Sequence, residues 1–229
     1  FCQISDTLCY AVLCDGMGGE NGGNVASELT VRDIGRELSA ALGSDAEQKD
    51  LRTIMEQAIS HANLVVNRAA RDTEALRGMG TTVVLAVAEG NTVTIAHAGD
   101  SRAYLIHGEE LSQLTHDHTV VQMLMERGEI TEEEALSHPQ RHHITRAVGV
   151  DCEIRVEFSQ AELGEGDAVL LCSDGLYNYA DPTDFPRLVR EALESGDASG
   201  FIDAANAGGG GDNITAVILS GDVKEKIDG

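Results

Sequence analysis

Apolar residues recur along this chain with two different periods. Residues 8–14, Leu-Cys-Tyr-Ala-Val-Leu-Cys, form an unbroken apolar run that stops at Asp15-Gly16-Met17-Gly18-Gly19, the pattern of a buried strand entering a tight loop. Helical spacing follows twice. Val25, Leu29, Ile34 and Leu38 mark a helix over about 23–42, and Leu51, Ile54, Met55, Ala58, Ala62 and Val65 mark another over about 48–73. From Thr81 the period shortens. Thr81–Ala88 and Thr92–Ala98 read as strands joined at a Gly-Asn turn, and Arg102–His107 returns past Gly108 into Glu110–Leu114, which makes an antiparallel meander. Residues 118–138 read as helical with a break at Arg127-Gly128, ended by Pro139. Strands are expected again at about 153–158, 168–173 and 213–219, and helices at about 183–195 and 198–206.

Strands and helices therefore come in blocks rather than in strict alternation, which favours a layered α+β domain with antiparallel sheets over a doubly wound parallel sheet. No linker or repeat interrupts the 229 residues, so one domain over 1–229 is expected. Aromatic residues make up only 3% and Trp is absent, so an aliphatic core is expected.

Charge narrows the function classes. Sixteen Lys and Arg stand against 39 Asp and Glu, a formal charge of -23. That balance opposes the counterion release on which nucleic-acid binding depends and makes anionic membranes poor partners. The longest apolar run, Val83–Ala88, is far shorter than the roughly 20 residues of a membrane span, so a soluble protein is expected. Five Cys at 2, 9, 14, 152 and 172 have no C-x-x-C spacing. Each lies in or beside an apolar stretch, which suits buried thiols in a reducing cytoplasm better than disulfides or zinc.

Four aspartates share a setting. Asp15, Asp100 and Asp174 each follow an apolar strand, and Asp212 follows four glycines and precedes one. In a layered sheet such positions can gather at one rim, where a hard divalent cation finds oxygen ligands. A lone Asp-Gly is more often a turn or cap. Carboxylates drawn to about 5 Å of one another, however, repel by roughly 3 kcal/mol per pair at an effective dielectric of 20, and so require protons or metal. Abundant acids and the lack of a His pair at ligand spacing point to Mg or Mn rather than Zn. The Gly-rich stretch 15–23 lacks Gly-Lys-Ser/Thr, and Asn21 breaks the G-x-G-x-x-G template, so nucleotide binding is rejected. Small residues there suit a loop whose backbone carbonyls, such as that of Gly16, reach a metal or its waters.

Seven pieces in order carry a resemblance: Asp15-Gly16-Met17-Gly18-Gly19; Gly80-Thr81-Thr82; Ala98-Gly99-Asp100-Ser101-Arg102-Ala103-Tyr104; Leu114-Thr115-His116-Asp117-His118-Thr119; His143-Ile144-Thr145-Arg146-Ala147-Val148-Gly149; Gly166-Asp167 through Leu171-Cys172-Ser173-Asp174-Gly175-Leu176; and Gly211-Asp212-Asn213-Ile214-Thr215. Together they resemble the type-2C, metal-dependent protein phosphatase family over nearly the whole chain. The resemblance implies a four-layer α-β-β-α sandwich, two antiparallel sheets flanked by helices, with two Mn or Mg ions at one rim. It further implies hydrolysis of phosphoserine and phosphothreonine on proteins by a hydroxide bridging the two ions, without a phosphoenzyme.

Carried over by position, Asp15 bridges both metals, Gly16 lends a carbonyl, Asp174 and Asp212 complete one metal's ligands, and Asp100 helps hold a looser third ion. Asp15, Asp174 and Asp212 are thus the expected catalytic set. The family ordinarily begins with a strand bearing a phosphate-binding Arg and an acidic pair, which the sequence from Phe1 onward lacks. Met17 stands where many eukaryotic relatives have a His acting as general acid, which implies the bacterial form of the enzyme. Residues 120–142 correspond to the family's variable flap. His97, His116, His118 and His143 are expected to be structural, and His138 and His142 exposed. Expected partners are phosphoprotein substrates, among them a serine/threonine kinase and its targets, with the chain a monomer in the cytoplasm. The alternative is a phosphatase-like regulatory module that binds metal or phosphopeptide with little turnover.

Overall fold

The structure, a computed structural model, describes residues 2–5, 7–43 and 50–221. Its strands are β1 (Cys2–Ser5), β2 (Leu8–Leu13), β3 (Gly16–Met17), β4 (Gly80–Thr81), β5 (Val83–Glu89), β6 (Thr92–Ala98), β7 (Arg102–His107), β8 (Glu110–Gln113), β9 (Glu157–Glu162), β10 (Ala168–Cys172) and β11 (Ala216–Ser220). Its α-helices are α1 (Gly19–Leu42), α2 (Leu51–Asp72), α3 (Val120–Glu126), α4 (Glu132–Leu136), α5 (Asp174–Tyr177), α6 (Phe185–Ser195) and α7 (Ser199–Ala207). All described ladders are antiparallel. One sheet runs β1-β2-β5-β6-β9, a second runs β11-β10-β7-β8, and β3 and β4 form a small separate ladder.

The period of two along each strand produces the layering. Along β5, Val83, Leu85 and Val87 face α1 and α2, where Ile34, Leu38, Met55, Ile59 and Val66 cover them. The alternate residues Val84 and Ala86 face Val169, Leu171 and Leu219 of the other sheet. Both faces of β5 are thus buried, which is why its sequence is a continuous apolar run rather than an alternating one. On the far side, Leu170, Tyr104 and Ile106 meet Phe185, Leu188, Phe201 and Ala205 of α6 and α7. The result is the expected α-β-β-α sandwich. The core is largely aliphatic; its edge-on aromatic contacts lie here, where Phe185 packs against Tyr104 and Phe201 at 5.7 and 5.9 Å between ring centres, while Tyr10 is buried under α1.

Several expectations are corrected. Cys152 is exposed rather than a buried thiol, whereas Cys172 is fully buried. Helix α1 starts at Gly19, not 23, because Gly18 turns the chain in the left-handed region (φ 109°) hard against Met79. Helix α2 is capped by Asp50, whose side chain accepts from Thr53 N at 3.2 Å, and the expected start at 48 lies outside the described residues. The strand expected at 153–158 is shifted to Glu157–Glu162. The segment before it is held to α2: Asn63 accepts from Gly149 N at 2.7 Å and donates to Asp151 O, while Asn67 donates to Gly149 O and Val150 O. The last strand begins at 216 rather than 213, since residues 213–215 bond to Ser173 instead of extending the ladder. The break expected at Arg127-Gly128 separates α3 from α4.

Candidate metal centre

The four aspartates lie where three strands stop and a fourth is about to start. Asp15 follows β2, Asp100 follows β6, Asp174 follows β10 and opens α5, and Asp212 stands four residues before β11. They converge from both sheets. Asp15 is acted on by the charges of Asp174, Asp212 and Asp100, and it shares a hydrogen bond with Asp174. Asp100 feels Asp174 and Asp117, and Asp174 feels Asp212.

Local bonding fixes each position. Asp15 N donates to Thr82 Oγ1 at 2.9 Å, and Asp15 O accepts from Thr82 N (2.9 Å) and Thr81 Oγ1 (2.8 Å). Thr82 is tied in turn to Ser101 at 2.8 Å, next to Asp100. Gly16 and Gly23 meet backbone to backbone, and a Cβ on Gly23 would lie 2.6 Å from the Gly16 carbonyl oxygen. Glycine at 23 therefore leaves that oxygen uncovered. A Cβ on Gly175 would collide with Asn213 O, so glycine there lets the loops carrying Asp174 and Asp212 close on each other. Ser173 Oγ seals the pair by donating to Asn213 O (3.2 Å) and accepting from Thr215 N (3.1 Å). Asn213 N donates to Asp212 Oδ1 at 2.7 Å, so its backbone orients that carboxylate.

Burial, followed by the neighbouring carboxylates, pushes Asp15 up to about 7 and Asp100 up to about 7; Asp174 is raised by the same two causes. Acids crowded this way are at rest only when protonated or neutralised by a cation. The donor set is all oxygen, carboxylates plus a carbonyl, which fits Mg or Mn and not a soft metal. Two tighter clusters occur elsewhere among the described residues, His97–His118–Glu157 and Asp33–Glu37–His61, each with three ligand atoms within 4.8 Å. Both already hold a cation. Arg146 Nη1 lies 2.8 Å from His118 Nε2 and 3.6 Å from Glu157, and Arg36 bonds Asp33 and Glu37. The histidine pair is structural, as expected: the rings stack at 4.7 Å, and burial lowers both, His118 to about 4.

One consequence is a pH dependence of metal binding. Because Asp15 and Asp100 keep protons up to about pH 7 in the metal-free protein, a divalent cation must displace them. Mn affinity is expected to rise between pH 6 and 8, by up to about tenfold per pH unit for each proton displaced. Calorimetric titrations in buffers of different ionisation enthalpy should show proton release that shrinks above pH 8. Affinity independent of pH would contradict the crowding.

Sequence reasoning did not single out the residues that surround the aspartates. Arg102 holds Asp117 through three bonds of 2.7 to 3.2 Å and donates to Tyr104 Oη at 2.9 Å. Its guanidinium lies 3.6 Å from the ring centre of Tyr177, whose hydroxyl donates to Asp100 O at 3.0 Å. Arg102 and Asp117 both lie in pieces of the sequence that carry the resemblance, but nothing in their spacing shows that they pair. A cavity of about 560 Å³ opens beside Asp100 and Asp174 and is walled by α3 and α4 and by Arg141, His142 and Tyr177. His138 is half-buried rather than exposed, and His142 is exposed as expected.

A family model for protein phosphatase 2C matches residues 1–206. The chain is 37% identical over 228 residues to a serine/threonine phosphatase, stp, of Listeria monocytogenes, covering 98% of this chain and 89% of that protein. It is 38% identical over 211 residues to the protein phosphatase PhpP of Streptococcus pneumoniae, covering 91% of this chain and 84% of that protein. Among solved structures, the catalytic domain of the serine/threonine protein phosphatase PstP in complex with two manganese ions superposes with a TM-score of 0.76 at 32% identity, covering 93% of this chain and 97% of that one.

Proposed function

The chain belongs to the protein phosphatase 2C family, and on that premise we propose that its rim of aspartates is the centre of a metal-dependent protein-serine/threonine phosphatase. Asp15, Asp174, Asp212 and the carbonyl of Gly16 would hold two Mn or Mg ions, and Asp100 would hold a third. When bound, such ions supply an activated water for in-line attack on phosphorus and offset charge on the phosphoryl oxygens.

The chain's own residues do the positioning. Thr81 and Thr82 fix Asp15, Asn213 fixes Asp212, and Tyr177 fixes the backbone of Asp100. Met17 has no proton to give a leaving serine or threonine alkoxide. No Cys-x5-Arg phosphate loop exists in the sequence, so a cysteinyl phosphoenzyme has no residues to form it. The cavity beside Asp100 and Asp174 offers the opening through which a phosphorylated side chain of another protein would enter.

The observation that carries this reading is the convergence of four carboxylates from two sheets, with two of them pushed up to about 7. Substrates of this kind would include a serine/threonine kinase and that kinase's targets. The five unpaired cysteines suit a reducing cytoplasm, and the chain would act as a monomer. Hydrolysis of phosphothreonine peptides with and without Mn tests the assignment. Asp100→Ala is expected to lower turnover several-fold while the two tighter ions stay bound. Loss of all metal on titration of that variant would show that Asp100 belongs to the primary set.

A further inference from the structure

Beyond the catalytic rim, the arginines of this acidic chain are unevenly used. Seven of them, among them Arg36, Arg68, Arg102 and Arg146, are paired with acids among the described residues. Six are not so paired, Arg71 and Arg77 among them. Both are exposed, neither has an acidic partner among the described residues, and both line a second cavity of about 340 Å³ that no carboxylate of the described residues borders. Asp72, the acid next to Arg71, is taken by Arg68 at 3.5 Å. The cavity wall is prearranged, since Asn67 holds Gly149 and Val150 by two hydrogen bonds, and Gly78 at φ 79° leaves the mouth free of a side chain. A pocket with two free guanidiniums, in a chain of charge -23, is a place for an anion.

Its position ties it to the rim. The β3–β4 ladder sets Met17 opposite Gly80, and Gly18 packs directly on Gly78 and Met79 of the cavity. Asp15 and Gly18 are three residue steps apart, a span of at most about 11 Å. The cavity edge therefore lies within roughly 15 Å of Asp15, the reach of four or five extended residues at about 3.3–3.6 Å each. Gly18 and Gly19, next to Met17, are exposed and carry no side chain.

We infer that this cavity is a second anion subsite for phosphoprotein substrates. Arg71 and Arg77 bind the phosphate or carboxylate of a residue two to five positions from the phosphoresidue being hydrolysed. This rests on the phosphatase reading and adds a substrate preference to it. The test uses peptides with one phosphothreonine for hydrolysis and, at each spacing of two to five on either side, Ala, Glu or a second phosphothreonine. These are assayed with Mn on the wild-type chain and on Arg71→Ala/Arg77→Ala. At the productive spacing, a second anion is expected to lower KM about tenfold with kcat unchanged, more for phosphate than for Glu, and less at high salt. The double variant should lose that advantage and treat the Ala peptides as wild type does. Fluorescence anisotropy with the metal-free protein should show the same order of binding and the same loss. An advantage that survives in the variant, or no advantage in either measurement at any spacing, overturns the subsite. Turnover of the Ala peptides reports separately on the phosphatase reading.

Discussion

Asp174→Asn is expected to lower Mn-dependent hydrolysis of a phosphothreonine peptide by about three orders of magnitude, and Asp212→Asn by a similar factor. A thousandfold loss is about 4 kcal/mol of transition-state stabilisation, the scale on which loss of a cation or its misplacement acts. Neither side chain belongs to an apolar cluster, so the fold should stand. The metal-free Asp174→Asn protein should melt at an equal or higher temperature, because Asp174 is held above its ordinary range by burial and by Asp212, and the change removes one of the crowded charges. Activity and stability thus move in opposite directions, which separates a ligand from a packing group. Normal kcat/KM at saturating Mn in either variant would remove that residue from the ligand set.

Arg102→Ala is expected to cost about 2–4 kcal/mol of unfolding free energy. It breaks a mostly buried pair and leaves Asp117, 12% exposed, without its bidentate partner. Arg102 also covers the face of Tyr177 and bonds Tyr104, so the loss spreads to the support of Asp100. Turnover should fall along with stability. Arg102→Lys keeps the charge but not the planar fork and should recover only part of either. Urea unfolding at pH 7 measures the cost, and a loss under about 0.5 kcal/mol would mean that Asp117 finds enough water to do without the arginine.

The layers were legible in the sequence because both faces of β5 and β10 are buried, and an uninterrupted apolar run such as Val83–Ala88 or Val169–Cys172 suits a strand covered on both sides and little else. The four aspartates were legible because each stands at the end or the approach of such a strand. The edge strand Cys2–Ser5, the Gly16–Met17 ladder and the four-residue α5 were not, since each is too short to display a period and exists through its neighbours. The same holds for the shift of β9, which is set by Asn63 and Asn67, more than 80 residues earlier in the chain than the backbone they hold. The Arg102–Asp117–Tyr177–Asp100 support was invisible for a related reason: its members are brought together only by the pairing of β7 with β10 and by the return of the loop after β8.

The most direct measurement strips the chain of divalent cations and adds Mn back, following bound metal by calorimetry and phosphothreonine peptide hydrolysis in parallel. Hydrolysis should be absent without metal and should appear as two ions bind, and Asp15→Asn should lose both the ions and the turnover. Hydrolysis by the stripped protein, or full turnover with Asp15→Asn, would contradict a catalytic centre built on this rim of aspartates.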